Sequence, residues 1–188
     1  MLNHIVEKRR AYRSLAPVEI SLEDIRELVE VAKLAPSCFN KQPWRFVFVR
    51  DRELLKKLFD TLSRGNEWVR NASMLIAVFT SPELDCRIGE REYALFDTGM
   101  ATAFLILKAT EMGLVAHPIA GYDDKKAKEV LKIPEKMTLI TLIVVGSHSG
   151  KIWEGLSEKQ RQQEIKRPER FPLEKFCFID QCPEEECK

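Results

Sequence analysis

The residues best suited to chemistry in this chain are arginines. Arg9, Arg10 and Arg13 fall within five residues, and Arg167 and Arg170 stand near the other end. Guanidinium groups present planar, forked donors, so three close together form a phosphate clamp with bidentate geometry that lysine does not give. The same cluster also reads as a solvated helix end, where cations favour the terminal carbonyls, because Leu2, Ile5 and Val6 precede it in an amphipathic pattern. A second polar group lies in Ala35-Pro36-Ser37-Cys38-Phe39-Asn40-Lys41-Gln42-Pro43-Trp44, where a hydroxyl, a thiol and two amides sit between prolines. Pro36 disfavours helical geometry in the residue before it, and Pro43 fixes its own torsion ahead of an apolar run. On its own this stretch is a helix-to-strand connector or a binding loop. A third candidate is Pro118-Ile119-Ala120-Gly121-Tyr122-Asp123, which follows an apolar segment.

Catalysis by side chains alone has little to work with. His4, His117 and His148 stand in unrelated contexts, and the chain has no HExxH pair, phosphate-binding P-loop or GxSxG elbow. No catalytic residue is therefore assigned. Cys38 reads either as a small packed hydrophobe or as a substrate-side thiol. Cys177, Cys182 and Cys187 recur every five residues in an acidic tail. That spacing matches neither common zinc nor common iron–sulfur patterns, so the tail is read as a frayed terminus and no metal is expected. Five cysteines, an odd number, argue against a secreted disulfide framework.

The elements that must position these groups alternate. Ser21 and Asp24 make a capping-box start for a helix whose stripe is Leu22, Ile25, Leu28, Val29 and Ala32. Residues 44–49 form a strand, read as central because it lacks alternation. Residues 51–62 form a second amphipathic helix, and 74–79 another buried strand. The longest helix is placed over 88–112. Its middle, 93–107, is apolar nearly all round, so it is buried either centrally in a monomer or across a dimer interface, and Gly113 stops it. A strand over 114–120, a short helix from Asp123 or Asp124 to near Lys132, and a strand over 137–146 complete the core. Residues 147–170 read as a charged arm or partial surface helix. Residues 171–179 are apolar again and are expected to dock, with strand pairing as one way to do so. Such alternation argues for a layered α/β or α+β sheet. A net charge of +1 gives no electrostatic case for nucleic acid or membrane partners. With no long apolar span and no apolar leader in the sequence, a cytoplasmic location is expected.

Together, these segments resemble the FMN-dependent nitroreductase family, in order and over nearly the whole chain. The resemblance rests on Arg9-Arg10-Ala11-Tyr12-Arg13, the Ala35–Trp44 stretch, Pro118–Asp123 with Leu131–Glu135, and Arg167-Pro168-Glu169-Arg170-Phe171-Pro172-Leu173-Glu174. It implies an α+β, three-layer fold with a mixed central sheet flanked by helices, in an entwined homodimer. The domain would span 1–170, with an arm over 171–188. It also implies FMN as cofactor, NAD(P)H as electron donor and a small-molecule electron acceptor. The cofactor-binding residues by resemblance are Arg9, Arg10, Ala11, Arg13, Ser37, Asn40, Gln42, Pro118, Ile119, Ala120, Gly121, Arg167 and Arg170. Ala11 stands where the family commonly has Ser, and Pro168 where it usually has Lys. The implied activity is reduction of nitro, quinone or similar acceptors. The rival reading is a flavin-binding protein without turnover, serving as a store, sensor or docking module.

Overall fold

The computed structural model describes residues 2–183. Six helices and seven strands follow one another as α1 (Leu2–Lys8), β1 (Leu15–Ala16), α2 (Leu22–Ala32), β2 (Arg45–Val49), α3 (Arg52–Phe59), β3 (Met74–Thr80), β4 (Arg87–Ile88), β5 (Arg91–Glu92), α4 (Ala94–Glu111), β6 (Val115–Ile119), α5 (Asp124–Leu131), β7 (Thr138–His148) and α6 (Glu158–Ile165). Local chemistry sets most of the helix ends. Ser21 and Asp24 cap α2 reciprocally, and Ser157 and Gln160 do the same for α6. Asp51 and Asp123 each accept a backbone N–H at the starts of α3 and α5. At the end of α4, Gly113 takes φ +81° while Leu114 N–H returns to the Ala109 carbonyl at 2.8 Å. This is a Schellman stop, which favours glycine because its left-handed position has no Cβ to clash.

β7 is the hub of the main sheet. It pairs with β3, with β6 and, at its last residues, with β1, while β2 joins the far side of β3. Side chains alternate across the sheet. Met74, Ile76, Val78, Ile143 and Val145 face α2 and α4, where Leu28, Ala32, Leu105 and Ala109 cover them. Leu75, Ala77, Leu142 and Val144 face the other way, onto Leu55, Leu58 and Phe59 of α3, Trp68, and Ala127 of α5. The result is the expected three-layer arrangement, helices on both sides of one sheet.

Four expectations need correction. Every strand pairing among the described residues is antiparallel, so the sheet of this chain is not mixed. β2 is an edge strand rather than a central one, because β3 is its single partner. The longest helix begins six residues later than expected. Residues 87–92 form a two-residue hairpin turning at Gly89, φ +63°, as a glycine at the first turn position allows. Finally, 171–179 does not pair as a strand. It holds one 3-10 turn over Leu173–Lys175, and Phe171 and Ile179 are 79% and 86% exposed.

α4 is buried on one face only. Asp97, Thr98, Ala101, Leu105 and Ala109 face the core, whereas Leu95, Phe96 and Phe104 are exposed in the single chain. Central burial in a monomer is therefore excluded. An apolar cavity of about 400 Å³ lies beside this face, lined by Leu2, Ile5, Val31, Phe104 and Leu107 with Lys108 and Glu111 at its edge. No helix among the described residues is long and apolar enough to cross a membrane. Cys187 of the tail lies outside the described residues.

Candidate functional site

The two ends of the chain meet over one small cavity. Arg9, Arg10, Ala11 and Arg13 line it from the N-terminal side, and Gln163, Arg167, Pro168 and Arg170 from the C-terminal side, around about 120 Å³. Five guanidinium groups therefore share one concavity, with no carboxylate among the lining residues. Ligand pockets for whole cofactor-sized molecules run to roughly 300–1,000 Å³, so this cavity suits one compact charged group.

The cradle is fixed by backbone carbonyls. Arg167 donates to the carbonyls of Glu7 and Arg9 at 2.6 and 2.7 Å, tying the closing segment to the end of α1. Arg10 donates to the carbonyl of Gln163 at 2.7 Å and lies over the Tyr12 ring. Arg13 donates to Gln163 Oε1 at 3.0 Å. Underneath sits Glu164, whose side chain is 2% exposed. Its two carboxylate oxygens accept the backbone N–H groups of Arg13 and Ser14 at 2.8 and 3.1 Å. A buried carboxylate that takes two N–H groups compensates part of its desolvation. Arg9 is held below the usual arginine range by burial and by the like charges of Arg167, Arg170 and Arg10. Burial likewise lowers Arg13, against the raising effect of Glu164. An arriving dianion would relieve the repulsion felt by Arg9, which makes the cradle complementary to phosphate.

The Ser37–Gln42 loop is built differently and does not line that cavity. Ser37 Oγ accepts from the Gln42 backbone N–H at 3.0 Å, and the Gln42 amide donates to the Asn40 side chain and carbonyl at 3.2 Å. Phe39, Asn40 and Gln42 take φ of 46°, 56° and 51°. Consecutive non-glycine residues in the left-handed region are costly and persist only where surroundings fix them. One such tie is Asp97, buried in the first turn of α4, which accepts the Cys38 backbone N–H at 2.6 Å.

The third expected segment leaves the end of β6. Pro118 and Ala120 are exposed, but the Ile119 side chain is buried in the core, so a ligand could meet only its backbone. Gly121 packs so closely on Asn66 that a Cβ would collide with the Asn66 amide, which donates to the Gly121 carbonyl at 2.9 Å. His117, just before this segment, connects it to the cradle. Its Nδ1 lies 3.1 Å from the Tyr12 carbonyl, and its ring stacks on Trp68, over which Arg13 also lies. Burial pushes His117 down to about 4, so the ring is neutral at pH 7 and serves structure rather than acid–base chemistry.

Sequence reasoning missed Gln163, Glu164 and the linking role of His117. The Ser157–Gln160 capping box was the available signal for α6, but nothing local tells that its far end lies under the arginines. Near the Ser37–Gln42 loop, Cys38 stands beside Asp85 and Cys86. Cys86 is pushed up to about 11, first by a hydrogen bond with the Cys38 thiol, and burial beside Asp97 raises Asp85.

Comparison with known proteins supplies the family. The model of the nitroreductase family matches residues 6–67 and 63–147. An Archaeoglobus fulgidus protein named "Putative NADH dehydrogenase/NAD(P)H nitroreductase" is 33% identical over 148 residues, covering 76% of this chain and 82% of that protein. A nitroreductase family protein from Clostridium novyi superposes with a TM-score of 0.74 at 26% identity, over 79% of this chain and 86% of that one. An oxidoreductase containing FMN superposes with a TM-score of 0.81 at 26% identity, over 94% of this chain and 90% of that one. With three layers, the arginine cradle and these matches in hand, the chain belongs to the nitroreductase family.

Proposed function

We propose that this chain is an FMN-dependent oxidoreductase that draws reducing equivalents from NADH or NADPH and delivers them to a small organic acceptor such as a nitroaromatic compound or a quinone. The observation that carries the reading is the cradle of Arg9, Arg10, Arg13, Arg167 and Arg170 around one phosphate-sized cavity. These residues would hold the FMN phosphate by charge-assisted hydrogen bonds. Ser37, Asn40 and Gln42 would satisfy the polar edges of the remainder, and the backbone at Pro118–Gly121 would face its ring. Bound FMN supplies the two-electron chemistry, which is why the chain needs no nucleophile or histidine base. The protein's own work is binding, orientation and charge placement.

The reading extends to a homodimer, with 171–188 as an arm onto the second copy. Leu95, Phe96 and Phe104 on α4, Val6 on α1 and Phe171, Phe176 and Ile179 of the arm form apolar surface with nothing over it in one chain. Large apolar side chains exposed on several elements are what association would cover. An absorbance spectrum of the purified protein, with FMN added to any colourless fraction, tests the cofactor. A flavin spectrum and steady NAD(P)H oxidation with a quinone or nitroaromatic acceptor are expected. No flavin uptake overturns the reading, and uptake without turnover leaves a flavin store or sensor. Sedimentation of the same sample should give twice the chain mass.

A further inference from the structure

The thiols of Cys38 and Cys86 and a carboxylate oxygen of Asp85 all lie within 4.8 Å of one another. They come from two separated segments, the loop between α2 and β2 and the turn between β3 and the 87–92 hairpin. We propose that Cys38, Asp85 and Cys86 form a binding site for a borderline-soft divalent cation, zinc by its donor set, with a fourth position left open. This goes beyond the flavin reading and does not depend on it.

Three observations support the assignment. First, the spacing suits one ion. Three points no more than 4.8 Å apart all lie within about 2.8 Å of a common centre, against zinc bonds of about 2.3 Å to sulfur and about 2.0–2.2 Å to oxygen. Side-chain shifts of about half an ångström would close it. Second, Asp85 is set up as a ligand. Its Oδ1 accepts the Cys86 backbone N–H at 2.8 Å, which orients the group, while Oδ2 is buried without a hydrogen-bond partner. Its near neighbour is the Asp97 carboxylate, which as an acceptor offers Oδ2 no donor, so a cation would supply the missing partner and offset the like charge. Third, the Cys38 backbone is held from behind by Asp97, the kind of outer-shell support that fixes a ligand's position. Two thiols and a carboxylate favour zinc over calcium or magnesium, which take oxygen ligands. Binding would release the two thiol protons to solvent, since thiolates are the ligands. Because Cys38 precedes the strained Phe39–Gln42 turn, the ion would fasten that turn to the Asp85–Cys86 segment that follows β3.

The test uses the full chain, purified with reductant and without a metal-affinity tag, stripped with a chelator and then given zinc alone. Mass-spectrometric mapping of alkylation should show Cys38 and Cys86 protected by zinc at least about tenfold, while the free, exposed Cys177 reacts at its original rate. Elemental analysis should give roughly one zinc per chain, lost in Cys38→Ser, Cys86→Ser and Asp85→Asn and kept in Cys177→Ser. The mapping needs no variant, so a substitution that fails to fold does not spare the proposal. Equal protection of Cys177, zinc retained in all three variants, or a Cys38–Cys86 disulfide that forms while zinc is present would each overturn it.

Discussion

The arginine cradle and the Ser37–Gln42 loop carry the polar groups that the proposed function assigns to FMN, yet they are held by opposite means. The cradle is made from the two ends of the chain. Its ties, such as Arg10 to Gln163 and Arg167 to Glu7, span more than 150 residues. The loop is made from six consecutive residues whose amides and hydroxyl bond to one another, with Asp97 as an outside anchor. A site held by distant segments exists only once the chain has folded, and loop closure makes such contacts late and cooperative. A site held locally keeps much of its shape if a neighbour is lost, at the cost of backbone strain.

The comparison breaks most sharply at the arginines. Hydrogen bonds to charged groups contribute roughly 1.5–3 kcal/mol each, so Arg9→Ala with Arg170→Ala should weaken FMN binding by about a hundredfold or more. Asn40→Ala with Gln42→Ala, which removes neutral groups, should cost about tenfold or less. Fluorescence titration of stripped protein reads both. If the loop pair weakens FMN more than the arginine pair does, the cradle is not where the phosphate sits.

Next come the two carboxylates that serve as anchors. Glu164→Ala leaves the Arg13 and Ser14 N–H groups without acceptors, and a buried orphaned donor costs roughly 1–3 kcal/mol. Two of them should lower stability by about 3 kcal/mol in urea unfolding, and FMN affinity should fall with it because the cradle loosens. Asp97→Ala orphans a single N–H, that of Cys38, and should cost roughly 1–3 kcal/mol with a smaller effect on FMN. Sharing no partner, the two losses should add within about 0.5 kcal/mol. Coupling beyond that would mean the cradle and the loop are one unit.

These differences also explain what the sequence made legible. The capping box at Ser21–Asp24, the Asp123 cap and the Gly113 stop are local devices, and each was readable in place. The near-continuous apolar runs over 74–79 and 137–146 showed buried strands, but pairing direction is set by tertiary partners, so an antiparallel sheet and an edge position for β2 were not readable. The 87–92 hairpin had a signal, Gly89 at a turn position, that the apolar run after it obscured. Motifs named all five arginines of the cradle without saying what held them. Glu164 looks like one more surface charge in Glu158–Ile165, and only the fold turns it inward.

His117 allows a pH test of the link between the cradle and the 118–121 segment. Its folded value lies at about 4, against 6.5 for the free group. The unfolded chain therefore binds more protons between these limits, and stability falls as pH drops from about 6.5 toward 4. The contribution present above 6.5 amounts to roughly 3–4 kcal/mol. Urea midpoints at pH 7 and pH 5 should differ less in His117→Gln than in the parent. An equal drop in both would place the acid sensitivity elsewhere.

The smallest expected effect bears on the strain of the loop. Phe39 holds a left-handed conformation with its ring 83% exposed, so the backbone bears a cost that no packing within the chain offsets. That cost is roughly 1–2 kcal/mol for an L residue and absent for glycine, but glycine adds a comparable entropy to the unfolded state. Phe39→Gly should therefore stay within about 0.5 kcal/mol of the parent, while Phe39→Val, stiffer at Cβ, should destabilise by about 1 kcal/mol. Measured in urea at two protein concentrations, the pair separates strain from contact. If Phe39→Gly instead loses about 2 kcal/mol and the loss shrinks on dilution, the ring is buried against a second copy. The loop would then be fastened from outside the chain, and its contrast with the cradle would vanish.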